Sequence, residues 1–158
     1  MSWSKKYKKS IDCDNPKGFS QKAHCQGRKK RKLKEFKEYI NEQVELENKV
    51  SDFVDFATNY LGLSRRPDVT LLTVREPNMT TAYYNIKDGN MKIYSKGRAC
   101  FDICRSIAHE MVHQKQHEEI ENPDDLDGST GSPHEDEANA VAGRMIRTYG
   151  EQVPGFYE

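Results

Sequence analysis

The sequence predicts an α+β fold: N-terminal helices, a small three-stranded antiparallel sheet, and two further helices at the C-terminal end. Three observations predict it. Apolar residues recur at helical spacing through Leu33, Phe36, Ile40 and Val44, and again through Phe53, Val54, Phe56, Ala57, Tyr60 and Leu61. Short runs rich in β-branched and aromatic residues then follow, two of them flanking Asp88-Gly89-Asn90, a strong hairpin signal. Finally Cys100, Ile103, Cys104, Ile107, Ala108, Met111 and Val112 fall at alternating steps of three and four, which lays one apolar stripe along a helix.

In chain order, residues 1–32 are rich in Lys, Gly, Pro and Ser with little periodicity, and read as a flexible basic arm. Within it Cys13, His24 and Cys25 are three candidate ligands for a second metal ion or a nucleic-acid-binding element, although no Cys-x-x-Cys pair is present. The run Arg28-Lys29-Lys30-Arg31-Lys32 suits phosphates or any acidic surface, without base selectivity. The stretch Ser-Ile-Asp-Cys-Asp-Asn-Pro-Lys-Gly-Phe-Ser-Gln-Lys-Ala-His-Cys, from Ser10 to Cys25, resembles a short cationic module of tailed-bacteriophage proteins. Residues 33–158 are expected to form the folded domain. Two helical segments open it, the second with Ser51 as N-cap and Gly62 at its end, and their aromatic residues are expected in the core. Val69 to Val74 reads as a buried strand after Pro67, and Thr81 to Ile86 pairs with Met91 to Tyr94 across the hairpin. Glu118 to Ser132 is a polar loop. The last helix has Ser132 as N-cap, Pro133 in its first position and Glu135 completing Ser-x-x-Glu, a capping box. Ala138, Val141, Ala142 and Met145 form its apolar stripe.

Charge separates the same regions. Residues 1–34 hold 12 Lys or Arg against 2 Asp, a balance of +10, so the remainder holds 13 against 23, or −10. No apolar run approaches the ~20 residues that cross a bilayer, and no apolar segment follows the Lys-rich start as in a secretory signal. The expected partners therefore exclude a membrane, and the expected address is the cytoplasm, or a host cytoplasm or virion for a phage protein. There, cysteines serve as thiols or metal ligands more often than as disulfides.

The chemistry concentrates in His109-Glu110-Met111-Val112-His113. Histidines four apart project from one helical face, one turn from each other, and can hold one zinc ion; the Glu between them can reach a water on that ion. Catalytic zinc takes three protein ligands and an open position. His117 is rotated from His109 by about 80° on an ideal helix, so it does not complete the set. A metzincin needs Gly at 116 and His at 119, where this chain has Gln116 and Glu119. Glu135 is engaged by the capping box and Asp136 points outward. Glu137, one turn before Val141, faces the first helix and is the expected third ligand, with His134 as its alternative. Cys100 and Cys104 read as core thiols, and Asp102 and Ser106 as helix surface.

The set His109-Glu110-x-x-His113, a linker of some twenty residues, and Glu135-Asp136-Glu137-Ala138-Asn139-x-x-Ala142 resembles the gluzincin zinc peptidases, most of all the small ImmA/IrrE-type members of bacteria and phages. That resemblance covers roughly residues 50–148. It implies a minimal zincin core, a third ligand at the Glu before Ala-Asn, which is Glu137, and a protein or peptide substrate. The chain departs from that family in lacking a DNA-binding helix-turn-helix and in carrying the cationic arm. The expected activity is a zinc metalloendopeptidase with one catalytic Zn2+ held by His109, His113 and Glu137 and with Glu110 as general base. Tyr83, Tyr84, Tyr94, Arg144 and Tyr149 are candidates for oxyanion or substrate contact, and the strand Met91 to Tyr94 is the expected docking edge for an extended substrate. Two other classes are compatible: a non-catalytic zincin-like structural or virion protein, and a nucleic-acid-binding accessory protein acting through the arm.

Overall fold

A computed structural model describes residues 3–77, 79–86, 88–120 and 127–158. The elements are α1 (Lys5–Ser10), α2 (Gly18–Leu61), β1 (Asp68–Leu72), β2 (Ala82–Asn85), β3 (Asn90–Tyr94), α3 (Cys100–Glu119) and α4 (Pro133–Gln152). The α+β class with a small three-stranded sheet is as the sequence predicts. Among the described residues no helix is long and apolar enough to cross a membrane. The chain divides into two compact units, Met1–Glu45 and Leu46–Glu158.

The first unit is helical where the sequence suggests a flexible arm. Ser4 caps α1 by accepting from the Tyr7 amide, and Asp12 folds the next turn by accepting from the Asp14 and Asn15 amides. Cys13 and Cys25 form a disulfide, which corrects the expectation that they are thiols or metal ligands. The ring of Trp3 packs edge-on against Tyr7 and His24. The expected boundary between residues 32 and 33 falls inside α2.

Two helical segments with an N-cap at Ser51 were expected, but α2 is one helix of 44 residues. Serine costs a helix interior only a few tenths of a kcal/mol, so a capping residue type does not by itself start a helix. The Ser51 hydroxyl instead accepts from Arg66 Nη2 at 2.9 Å. Gly62 does end the helix: at φ 65° it takes the left-handed conformation, its amide bonds Asn59 O, and the Leu63 amide bonds Thr58 O, a Schellman closure.

In the second unit the strand order is β1-β3-β2. β2 and β3 form the expected antiparallel hairpin, with Asn85 opposite Asn90 and Ala82 opposite Ile93. β1 runs parallel to β3, Asp68 opposite Asn90 through Leu72 opposite Tyr94, so the sheet is mixed rather than antiparallel throughout. Successive strands alternate in direction; β3 inserts between β1 and β2, and the first and third strands therefore share a direction. The central strand is the most buried, with Met91 and Ile93 fully enclosed and their neighbours partly exposed.

The core joins Val50, Phe53, Val54, Ala57 and Leu61 of α2 to β3, to the α3 stripe from Ile103 to Val112, and to Ala138, Ala142, Met145, Ile146 and Tyr149 of α4. Enclosing an Ile or Met side chain contributes roughly 2 kcal/mol, so Ile103, Ile107, Met111 and Met145 alone firmly fix α3 against α4. That packing presents the polar edge of α3 to the first turn of α4.

Candidate metal centre

His109 and His113 lie where helical spacing puts them, one turn apart on α3 opposite its buried stripe, with ring centroids 4.7 Å apart. Their Nε2 atoms approach to 3.1 Å. The third group is Glu135. Its Oε2 lies 3.3 Å from His109 Nε2 and its Oε1 lies 3.1 Å from His113 Nε2. Among the described residues this trio is the one cluster of His, Cys, Asp and Glu whose ligand atoms converge as a metal site requires.

The expectation that Glu137 faces the two rings is corrected, and the reason lies in how α4 starts. Asp127 O accepts from the Ser132 hydroxyl at 2.6 Å, and that hydroxyl in turn accepts from the Glu135 amide at 3.2 Å, half of a capping box. The other half needs the Ser132 amide, which already bonds Ser129 O at 3.0 Å. With that amide taken, the Glu135 carboxylate turns to the histidines. Glu137 sits behind them: its Oε2 accepts from Gln116 Nε2 at 2.9 Å. His134, the alternative ligand, accepts at Nδ1 from the Asp127 amide and stands on the wall of the cleft, outside the trio. The predicted loop preceding Ser132 includes residues 121–126, which lie outside the described residues.

Gln116 is the residue that sequence reasoning missed. Its amide nitrogen donates to both Glu137 and the His134 carbonyl, at 2.9 and 3.0 Å. Those two acceptors orient the amide, so its Oε1, 2.8 Å from His113 Nδ1, accepts the proton of that ring nitrogen. Neutral His113 therefore carries its proton on Nδ1 and turns the Nε2 lone pair to the trio. The Asn139 side chain hydrogen-bonds His109 in the same supporting role. Gln116 is three residues after His113, a same-face spacing that marks such a support in the sequence.

The electrostatics suit a cation. Burial, helped by His113, holds the His109 pKa below its ordinary value, so the ring stays neutral and its lone pair available. Two imidazole nitrogens and a carboxyl group then face one another at 3.1 to 3.3 Å. A tetrahedral zinc ion with bonds of about 2.0–2.1 Å holds its ligand atoms about 3.3 Å apart, which is the spacing of this trio, so the residues present fit such an ion. Glu110 is pushed up to about 7, chiefly by burial and further by Glu135; His113 and a hydrogen bond from the Tyr84 amide act the other way.

Two cavities flank the trio. The larger, about 630 Å³, is lined by Tyr83, Tyr84, His109, Glu110, His113, Thr130, His134 and Glu135 among others. The smaller, about 340 Å³, is lined by Thr81, Arg98, Asp102, Arg105, Ser106, His109, Glu110 and Asn139. Of the expected contact residues only Tyr83 and Tyr84 line this cleft. Tyr94 lies under the Arg75 guanidinium, Arg144 is on the exposed face of α4, and Tyr149 is in the core against Phe53. Asp102 and Ser106, expected on the helix surface, bind Arg98 at 2.7 Å each. The strand Met91 to Tyr94 is central and paired on both sides, so it offers no docking edge; β2 is the edge on the cleft side. In the first unit the Cys13–Cys25 disulfide removes both thiolates from the second candidate metal set, leaving His24 against Trp3. No protein-family model, curated protein or solved structure matches the chain.

Proposed function

We propose that the second unit is a zinc-dependent peptidase. The observation that carries this reading is the convergence of His109, His113 and Glu135 within 3.3 Å of one another, with Glu110 on the same cleft. His109, His113 and Glu135 would hold the ion, and zinc bound there supplies Lewis acidity and a water acidified to a pKa of about 7. Glu110, partly buried on the same cleft as the trio, is placed to take the proton of the attacking water on its carboxylate and to deliver it to the leaving amine nitrogen. The substrate is a peptide in extended form, laid along β2, whose outer edge borders the cleft. Tyr83 and Tyr84 line the same cleft.

A zinc site serving stability alone has no use for a carboxylate at 110, since Glu110 takes no part in the trio. Replacing Glu110 by Gln separates the two readings. On a mixed peptide library, Glu110→Gln keeps one zinc per chain and loses turnover by about 10²- to 10⁴-fold. Cleavage by wild type that is unaltered in this variant, or a wild type that binds zinc and cuts nothing, contradicts the peptidase reading.

A further inference from the structure

We propose that α2 is a self-association surface on which two copies of the chain pair antiparallel through Leu33, Phe36, Ile40 and Val44. The sequence pattern marks these four as a face seeking burial, yet they are 55%, 60%, 41% and 50% exposed. On an ideal helix they fall within an arc of about 80°, and their steps of three and four continue through most of two heptads. An apolar stripe of this length on a charged helix is the signature of an interface.

Charge identifies the occupant. Residues 28–34 carry six cations and no acid, whereas residues 35–45 carry four glutamates against one lysine. A parallel partner of the same sequence sets cations beside cations and glutamates beside glutamates. An antiparallel one, related by a twofold axis level with Glu38, sets Phe36 against Ile40, Lys34 against Glu42 and Arg31 against Glu45, each contact occurring twice. Lys34 lies 3.6 Å from Glu38 on its own helix, an exposed contact readily exchanged for one across the interface. The helix thus carries the complement of its own stripe, in the reversed direction. Nothing in this pairing depends on a metal.

Sedimentation velocity on the full chain across a wide range of concentration tests it. Wild type is expected to move from monomer to dimer as concentration rises, and Ile40→Lys to remain monomeric with an unchanged helical circular dichroism signal, since the position is exposed. Lys34→Glu or Glu42→Lys alone weakens the dimer about tenfold, and the double variant Lys34→Glu/Glu42→Lys restores it. A wild type that stays monomeric, a dimer untouched by Ile40→Lys, or a double variant no better than the single ones overturns the proposal.

Discussion

The two Cys/His-bearing clusters of this chain begin alike in sequence and end differently. Cys13, His24 and Cys25 in the first unit, like His109, His113 and their acidic neighbours in the second, have side chains that bind zinc. The first set is drawn from one short loop and the start of one helix, and its two sulfurs meet each other across twelve residues. The second is drawn from two helices that a shared core holds in place, and its ligand atoms meet without bonding. A disulfide uses both of its partners and leaves no ligand atom. Two imidazoles and a carboxylate form no covalent bond with one another, and cavities lie beside them. Ligand-type residues can hold a metal when the fold aims them at a common point and no covalent bond has used their ligand atoms.

Exchanging the damage between the clusters gives the largest effect. His109→Ala is expected to abolish zinc binding while leaving the fluorescence of Trp3, the sole tryptophan, unchanged. Cys13→Ser/Cys25→Ser is expected to keep one zinc per chain and to destabilise the first unit by about 3 kcal/mol, the loop-closure value for twelve residues. Denaturant titration followed by Trp3 fluorescence reads that loss. Zinc loss in the cysteine variant would erase the distinction between the clusters.

A smaller effect sharpens it. Gln116→Leu removes the acceptor that keeps the His113 proton on Nδ1, and zinc affinity is expected to fall about 10- to 100-fold. Glu137→Gln, whose amide oxygen still accepts from Gln116, is expected to stay within a few-fold of wild type. Chelator competition measures both, and nitrogen chemical shifts of His113 report the tautomer directly. Equal affinity in Gln116→Leu and wild type would show that Gln116 only fills space.

What the sequence makes legible is local. The α3 stripe, the two histidines on its opposite edge, the Asp88-Gly89-Asn90 hairpin, the Gly62 stop and the Ser132-Pro133 start all depend on residues within one or two turns of each other, and all are found. What it hides depends on distant partners. Glu135 reads as a capping residue because nothing in Ser-x-x-Glu tells that Ser129 O holds the Ser132 amide. β1 reads as antiparallel because neighbours in sequence are assumed to be neighbours in the sheet, and β3 comes between. Leu33, Phe36, Ile40 and Val44 share the helical period of Phe53, Val54 and Ala57, but only the latter join the core with the sheet and α3. Periodicity identifies a face that needs covering; it does not say what covers it.

The central claim is that His109, His113 and Glu135, with Glu137 behind them, hold one divalent ion. Bound zinc by elemental analysis in wild type, Glu135→Ala and Glu137→Ala tests it most directly. The geometry predicts one ion per chain in wild type, none in Glu135→Ala, and a full complement at saturating zinc in Glu137→Ala. Zinc retained by Glu135→Ala, or lost only in Glu137→Ala, would contradict it.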